Sequence, residues 1–311
     1  MFKVKCPRCN SPIIKRNGTQ NGQQRYLCHA CGRQFRIVRK TNQETLWSMY
    51  LDNKQTIDEI SHRLSISPSS VKRILKLVKT EWMPPNVQAR HGVIHIDATY
   101  FGRNSGVLVV IEERSREVLY LSFINHEKAQ DYLDAVEYLE RNAYRIEGVV
   151  LDGNESVIKS LSVHYPVQMC QFHMAAIIRR KLTMHPKLTA AVELKEIMHH
   201  LTTDDAETFG LRFRQWCDRW KDFLKETSLT SDGKRVYTHR RTRSAMFSIK
   251  LFLPYLFTYM TVNGMPNTNN LIEGTFTDLK KNLNNHSGMS KTNRNRFIIG
   301  FFLAWNKAKQ E

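Results

Sequence analysis

The sequence predicts an α/β fold in which a sheet-based core follows two small N-terminal modules and is interrupted by an all-helical insertion. Three strand-like runs at hairpin spacing begin this core: GVIHIDATYFG, GVLVVIEE and REVLYLSFI. An amphipathic helix, the strand GVVLDG, a second helix and the strand VQMCQF follow in that order. Beyond them, residues 174–262 are mainly helical and basic and lack strand-like alternation.

The order of these elements predicts the type of core. Three antiparallel strands, a helix, a strand, a helix and a strand form the succession of an RNase H-like fold. In that fold the first and fourth strands are neighbours at the centre of the sheet. We therefore predict an RNase H-like core in two parts, residues 86–173 and 263–311, separated by the insertion over residues 174–262.

Two aspartates lie in apolar, strand-like runs. Asp97 lies inside VIHIDATY, which has the composition of a buried strand, and Asp152 closes the run VVLD. An unpaired buried charge costs roughly several kcal/mol, and two adjacent carboxylates repel each other. A shared Mg²⁺ or Mn²⁺ would compensate both charges, because hard cations favour oxygen ligands. The alternative for Asp152 is a simple turn residue before Gly153 and Asn154.

A third carboxylate begins a C-terminal helix. The segment PNTNNLIEGTFTDLKKNLNNHSG predicts a helix that ends at Gly288 and carries Glu273 in its first turn. Glu273 would supply the further oxygen ligand that a metal between the two aspartates needs. The alternative is a capping box over residues 270–273, in which the Glu273 side chain only satisfies a backbone amide. Lys280 lies seven residues on, close to the same helical face, where it suits a phosphate.

The composition favours a globular protein with a polyanionic partner. The chain of 311 residues is 41% hydrophobic, which excludes a disordered protein, and its formal charge is +18. Basic residues dominate residues 1–90 and 174–311, whereas residues 91–173 are acidic overall. Nucleic acid is the first candidate partner, and a merely soluble basic surface is the alternative. No apolar run can span a bilayer and no secretory signal precedes the cysteines, so we expect a cytoplasmic protein without a membrane partner.

Four cysteines form two matched pairs near the N-terminus. Cys6 and Cys9 form one Cys-x-x-Cys pair, Cys28 and Cys31 form the other, and eighteen residues separate the pairs. This spacing matches a tetrahedral site with four thiolate ligands and one structural Zn²⁺. We therefore predict a zinc ribbon over residues 1–40. A redox-active pair is the alternative.

The next segment, KQTIDEISHRLSISPSSVKRILKLVK, predicts two short helices joined by a tight turn, with Ser67 as N-cap and Pro68 at the first helical position. We predict a helix-turn-helix and linker over residues 41–85. A helical hairpin packed only for stability is the alternative. The candidate DNA-binding residues on the second helix, in the basic insertion and beside Glu273 are Ser69, Ser70, Lys72, Arg73, Lys76, Arg240, Arg241, Arg243, Lys280 and Lys281.

The chain resembles bacterial insertion-sequence transposases of the DDE class. The residues that carry the resemblance are the zinc ribbon, the helix-turn-helix, VIHIDAT, VVLDGNES, MCQFHM and TNNLIEGTFTDLKKNL, in that order. More narrowly, it is similar to the Mutator-type group with an N-terminal zinc ribbon. By this resemblance Asp97, Asp152 and Glu273 are the catalytic triad, and Cys170 and His173 match the group's Cys-x-x-His signature.

The resemblance implies that two Mg²⁺ or Mn²⁺ ions are held by the triad. It also implies hydrolysis at transposon ends and attack of the released 3′-hydroxyl on target DNA. The implied partners are end DNA with terminal inverted repeats, target DNA and at least one further copy of the chain in the DNA complex. Cys170 and His173 are expected to pack or hydrogen-bond beside the metal ligands, with a second structural zinc as the alternative. Two other functions remain open: a related nuclease that does not join DNA, and a domesticated DNA-binding regulator.

Overall fold

The computed structural model describes residues 4–20, 23–36, 42–51, 54–286 and 288–310. The chain divides into two compact units, one of residues 1–53 and 57–78 and the other of residues 54–56 and 79–311. The predicted boundary between the zinc ribbon and the helix-turn-helix, at residues 40 and 41, lies outside the described residues. Among the helices in the described part of the chain, none combines the length and apolarity needed to cross a bilayer.

The first unit contains a small antiparallel sheet and three helices. The strands, paired in the order β1-β2-β3, are β1 (Ile14–Gln20), β2 (Gln23–Cys28) and β3 (Gln34–Arg36). The helices are α1 (Gln43–Leu51), α2 (Ile57–Leu64) and α3 (Pro68–Leu77). As predicted, Ser67 caps α3, since its hydroxyl accepts a hydrogen bond from the Ser70 amide at 3.2 Å. Helix α1 was not predicted.

The second unit is built around a five-stranded mixed sheet. Its strands are β4 (His91–Tyr100), β5 (Gly106–Glu112), β6 (Val118–Ile124), β7 (Arg145–Leu151) and β8 (Val167–Met169). They are hydrogen-bonded in the order β6-β5-β4-β7-β8, where β4, β5 and β6 are antiparallel and β7 and β8 run parallel to β4. The predicted contact between the first and fourth core strands is therefore confirmed.

The register of the central pair fixes the position of both aspartates. His95 on β4 pairs with Val150 on β7 in a parallel ladder. Two residues further along each strand, Asp97 and Asp152 reach adjacent positions on the same face of the sheet. The two aspartates are far apart in the sequence, and the parallel pairing of β4 with β7 brings them together.

Helices cover both faces of this sheet. The core helices are α4 (Ala129–Arg141), α5 (Glu155–Leu161), α10 (Asn270–Asn284) and α11 (Lys291–Gln310). On one face of β4, Ile94 and Ile96 are fully buried in the main core with side chains of α4 and α5. On the other face, Val93 and Val150 pack against Met265. The aspartates lie on this second face, beyond a small apolar cluster that supports the ends of their strands.

The insertion is helical but not entirely so, which corrects the predicted all-helical insertion. Its helices are α6 (Gln171–Leu182), α7 (Thr189–His199), α8 (Ala206–Arg219) and α9 (Arg240–Phe252). Between α8 and α9, β9 (Thr227–Leu229) and β10 (Arg235–Tyr237) pair as an antiparallel hairpin. Its turn contains Asp232 and Gly233, and Gly233 has φ +74°, a conformation that glycine adopts without strain. Strands of three residues are too short to produce visible alternation.

The two ends of the insertion are joined by hydrogen bonds. The Gln171 amide donates to the Asn267 carbonyl at 2.9 Å, and the Asn267 side-chain amide donates to Gln171 Oε1 at 2.9 Å. The insertion therefore leaves the core and returns to it at one place. The following helix, α10, ends at Asn284, four residues before the predicted end at Gly288, whose φ of +78° is not helical.

Candidate active site

Asp97 and Asp152 form the base of the candidate site. Asp97 is half-buried, and its Oδ1 accepts a hydrogen bond from the Ala98 amide at 2.7 Å. Burial, followed by the charge of Asp152, raises the pKa of Asp97 well above its ordinary value. The charge of Asp152 therefore opposes ionisation of Asp97, and a bound cation would relieve this cost. The arrangement matches the sequence prediction for this pair.

Glu273 reaches the same site from the first turn of α10. The N-cap of α10 is Asn269, so Asn270 is already the first helical residue and Glu273 the fourth. A capping box over residues 270–273 is therefore wrong, because it requires Asn270 itself to be the N-cap. Burial raises the pKa of Glu273, and Asp152 contributes in the same direction while His173 opposes it.

His173 links Asp152 and Glu273. Its Nδ1 lies 3.0 Å from Asp152 Oδ1 and 3.3 Å from Glu273 Oε1. The Asp152 carboxylate, followed by Cys170, raises the pKa of His173 to about 10. Without a bound cation, a charged imidazolium therefore lies between the carboxylates near neutral pH. His173 occupies the first turn of α6, whose N-cap is the fully buried Cys170.

The structure also identifies a group of potential metal ligands. One ligand atom from each of Asp152, Cys170, His173 and Glu273 lies within 4.8 Å of the others. Asp97 belongs to no such group among the described residues, although it lies beside Asp152 on the sheet. The predicted triad therefore lies in one neighbourhood, and Cys170 and His173 lie beside two of its members, Asp152 and Glu273.

Asp152 is also held by a series of hydrogen bonds that runs through buried side chains. Asn269 Nδ2 donates to Asp152 Oδ1 at 3.4 Å, and Asn269 Oδ1 lies 2.7 Å from His95 Nδ1. The other ring nitrogen of His95 lies 2.6 Å from Glu113 Oε2. His95 and Asn269 are both fully buried, so their polar atoms depend on these partners. Strand alternation places His95 on the same face as Asp97, which suits either a supporting residue or a plain core histidine, whereas Asn269 and Glu113 were not predicted.

The substitution Asn269→Ala is expected to weaken binding of Mn²⁺ at the site by about 10–100-fold, because Asp152 loses a partner that orients it. The unsatisfied His95 nitrogen should also lower the free energy of unfolding by about 1–3 kcal/mol. Calorimetric titration with Mn²⁺ measures the first effect. Asn142→Ala, at the exposed end of α4, is the matched control. Equal Mn²⁺ affinity in the two variants would contradict this role for Asn269.

Glu127 is a further carboxylate near the site that sequence reasoning missed. Its Oε1 accepts hydrogen bonds from the Tyr132 hydroxyl and from Asn154 Nδ2, both at 3.0 Å. Its charge also contributes to the raised pKa of Asp97. Glu127 lies in the connection between β6 and α4, where no strand end or motif marks it.

The four N-terminal cysteines converge in the first unit. Cys6 Sγ lies 3.6 Å from Cys31 Sγ, and Cys9 Sγ lies 3.6 Å from Cys28 Sγ. All four sulfur atoms lie within 4.8 Å of one another, and none is in a disulfide. These separations fit one tetrahedral Zn²⁺ with sulfur ligands. The residues present therefore suit the structural zinc that the sequence predicts.

Several candidate DNA-binding residues lie on exposed surfaces. On α3, Val71 and Leu75 face inward. Around them Ser70 is half-buried and the remaining candidates Ser69, Lys72, Arg73 and Lys76 are exposed. The helix therefore buries its apolar face inside the first unit and exposes its basic face to solvent.

The basic candidates of the second unit differ in their surroundings. Arg240 and Arg241 are exposed in the first turn of α9. Arg243, in contrast, donates to the Leu224 carbonyl at 3.1 Å and lies 3.8 Å from the ring centre of Tyr237. These contacts give Arg243 a structural role within the insertion.

The lysines of α10 also differ. Lys281 Nζ is 3.8 Å from Asp278 Oδ1. Lys280, together with Tyr100, Phe101 and Arg294, lines a cavity of about 430 Å³. This cavity lies three residues along β4 from Asp97 and two helical turns along α10 from Glu273.

Neither a protein-family model nor a curated protein matches this sequence. Among solved structures, the chain is similar to the Drosophila P element transposase strand transfer complex, with 11% identity, TM-score 0.44, and coverage of 88% of this chain and 94% of that one. The HTLV-2 integrase catalytic core domain in complex with magnesium gives 12% identity, TM-score 0.22, and coverage of 52% and 99%. The Mos1 transposase paired-end complex with left transposon end gives 14% identity, TM-score 0.22, and coverage of 64% and 81%. These structures are transposases and an integrase, with TM-scores below 0.5.

Proposed function

We propose that this chain is a DNA transposase of the DDE class, built on an RNase H-like core. The observation that carries the proposal is the meeting of three carboxylates from distant parts of the chain. Asp97 and Asp152 are adjacent on neighbouring parallel strands, and Glu273 is joined to Asp152 through His173. Converging carboxylates, with the pKa values of Asp97 and Glu273 raised by burial, are typical of sites that hold a divalent cation for phosphoryl chemistry.

The donor set of the triad fits the two Mg²⁺ or Mn²⁺ ions that the proposal implies. Three carboxylates supply hard oxygen ligands, and Glu273 Oε1 is buried without a hydrogen-bond partner. When bound, the divalent metals supply Lewis acidity at the scissile phosphate and lower the pKa of the attacking hydroxyl.

Each proposed reaction is an in-line displacement at phosphorus. In the first, a water oxygen bonds to phosphorus and the 3′-oxygen of the transposon end leaves with a proton. In the second, that 3′-hydroxyl loses its proton as its oxygen bonds to a phosphorus of target DNA, and a target 3′-oxygen leaves and takes up a proton. Asp97, Asp152 and Glu273 position the reacting groups, and the chain from Glu113 through His95 and Asn269 orients Asp152.

The two units would contribute different DNA contacts. The zinc ribbon, with Cys6, Cys9, Cys28 and Cys31 on one Zn²⁺, and the helix-turn-helix with α3 as recognition helix are proposed to bind the terminal inverted repeats. In the second unit, Arg240 and Arg241 place positive charge at a helix N-terminus, which is unfavourable unless an anion is close. We propose that DNA phosphates are this anion, and that Lys280 contacts a DNA strand beside the carboxylates of the triad. Joining two ends requires at least two copies of the chain.

The test is incubation of the protein with labelled DNA that carries the inverted repeats flanking its coding sequence, in Mg²⁺ or Mn²⁺. Nicking at the repeat ends followed by joined products supports a transposase. Nicking without joining would favour a nuclease, and binding without nicking would favour a regulator. The same reactions by an Asp97→Asn variant at the parental rate would refute the proposal.

The substitution Arg73→Ala should weaken binding of end DNA because one phosphate or base contact of α3 is lost. The slope of log affinity against log salt concentration should fall by about one unit for a lost phosphate contact. A fluorescence anisotropy titration at several salt concentrations measures both. Lys307→Ala, an exposed basic residue near the end of α11, removes the same charge as a control. If both variants lose affinity equally, α3 is not a specific contact.

A further inference from the structure

Cys170 and His173 are not used by the proposed chemistry, yet they share a neighbourhood with two of its carboxylates. We propose that Asp152, Cys170, His173 and Glu273 together form a mixed nitrogen, sulfur and oxygen site for a Zn²⁺-like transition-metal ion. The proposal rests on the proposed function only for the two shared carboxylates. It replaces the predicted supporting role of Cys170 and His173 with direct metal ligation.

The first observation is the convergence of the four side chains. Their ligand atoms lie within 4.8 Å of one another. Cys170 and His173 come from a single turn at the start of α6, Asp152 directly follows β7, and Glu273 comes from the first turn of α10. A close pair of ligands at the start of a helix, joined by two ligands from other elements, is compatible with a four-coordinate tetrahedral site.

Cys170 is held in place independently of any ligand. Its amide donates to the Leu151 carbonyl at 2.8 Å, at the end of β7. Its Sγ accepts a hydrogen bond from the Asn269 amide at 3.3 Å, at the start of α10. The sulfur is thus fixed between the two elements that supply Asp152 and Glu273.

The second observation concerns two buried atoms without partners. His173 Nδ1 and Glu273 Oε1 are inaccessible to solvent, and neither makes a hydrogen bond of acceptable geometry. Yet Nδ1 lies 3.3 Å from Oε1 and 3.0 Å from Asp152 Oδ1. Buried polar atoms are nearly always satisfied. A cation bound among these atoms would satisfy Nδ1 and Oε1 together.

The donor types decide which ion fits. Mg²⁺ requires oxygen ligands in octahedral geometry and avoids sulfur. Zn²⁺ binds thiolate, imidazole and carboxylate together, with bonds of about 2.0–2.3 Å in a tetrahedron. The set of one sulfur, one nitrogen and two carboxylates therefore selects a Zn²⁺-like ion over Mg²⁺. Asp97 lies outside this set, which separates the mixed site from the oxygen-only site of the triad.

Cobalt provides a spectroscopic test, because Co²⁺ replaces Zn²⁺ and its bond to a thiolate absorbs in the near ultraviolet. The full chain, with its N-terminal cysteines already holding Zn²⁺, is titrated with Co²⁺. We expect about one further equivalent to bind per chain, with thiolate-to-cobalt absorption that Zn²⁺ abolishes and a large excess of Mg²⁺ leaves unchanged. Absence of this absorption, or its loss on adding Mg²⁺, would overturn the proposal.

Variants locate the cobalt. Cys170→Ser should remove the absorption, whereas Cys217→Ser, at a cysteine outside both groups, should keep it. If the absorption persists in Cys170→Ser because Co²⁺ has replaced Zn²⁺ in the N-terminal four-cysteine site, the assignment to Cys170 is refuted. His173→Gln keeps the sulfur and should shift the absorption and weaken Co²⁺ binding by about 10-fold or more. An unchanged titration of His173→Gln would also count against the mixed site.

Asp97→Asn separates this inference from the proposed function. It should retain the cobalt absorption, because Asp97 is not in the mixed site, and should lose DNA cleavage. Cleavage in Mg²⁺ by a wild-type protein that shows no cobalt absorption would refute the mixed site and leave the transposase proposal standing. Cobalt absorption in a protein whose Asp97→Asn variant cleaves normally would refute the transposase proposal and leave the mixed site standing.

Discussion

Asp97→Asn is expected to reduce DNA cleavage and joining by about 10²–10³-fold or more and to stabilise the metal-free protein. The loss follows because an amide cannot replace a carboxylate as a metal ligand. The gain follows because burial and Asp152 raise the pKa of Asp97, so its ionised form is costly in the folded state. We expect a melting temperature higher by about 2–4 °C for each ~1 kcal/mol relieved. Cleavage assays and thermal unfolding in a chelator measure the two effects.

The stabilisation should depend on pH with a definite sign. The pKa of Asp97 is higher in the folded than in the unfolded state, so the folded state binds more protons and wild-type stability falls as pH rises. Below about pH 4 both states are protonated and the variant should gain nothing. Its advantage should grow as the pH rises through the raised pKa. Asp222→Asn, at a fully exposed position of the insertion, should change neither activity nor stability.

An Asp97→Asn variant that is inactive but less stable than the wild type would contradict the electrostatic account of this site. An active variant would contradict the catalytic assignment itself.

Cys28→Ser is expected to remove the zinc of the first unit and to unfold the small sheet around it. Cys28 is fully buried and its Sγ lies 3.6 Å from that of Cys9. The sheet contains three short strands, and structural zinc of this type contributes about 10–16 kcal/mol of apparent binding free energy. Metal analysis should show one equivalent less zinc per chain. Hydrogen exchange should show loss of protection in β1, β2 and β3.

Cys217→Ser is the matched control, since it removes a thiol from the helical insertion outside the four-cysteine group. It should keep the zinc content and the protection of the N-terminal strands. Retention of both by Cys28→Ser would show that the four sulfurs do not form a zinc site.

The element order was sufficient to predict that Asp97 and Asp152 meet. The order of three antiparallel strands, a helix, a strand, a helix and a strand matches an RNase H-like fold, in which the first and fourth strands are neighbours, and the observed order β6-β5-β4-β7-β8 agrees. The short hairpin between α8 and α9 was missed, because three-residue strands carry no periodicity and their pairing depends on one turn. The capping-box alternative at Asn270 fails because the helix begins one residue earlier than a box at 270–273 requires, with Asn269 as N-cap. The Asn269 side chain contacts His95 and Asp152 instead of capping the helix.

The support of the site was beyond sequence reasoning for a different reason. His95 and Asn269 are 174 residues apart, and their hydrogen bond exists only because α10 begins over β4. Glu113 completes the chain from a position directly after β5. Neither Asn269 nor Glu113 has a local pattern that distinguishes it from an ordinary core or loop residue. Such partners become visible only when tertiary structure fixes which polar atoms are buried together.

The joined ends of the insertion have a thermodynamic consequence. Gln171 and Asn267 join the start and the end of the insertion. His173 lies just after Gln171 and Glu273 follows Asn267, and the two side chains contact each other there. An ion bound between these two side chains would also hold the two ends of the insertion together. The two binding events would then be coupled. If a bound ion changes the affinity for a nucleic acid that reorients those helices, that nucleic acid changes the affinity for the ion by the same factor.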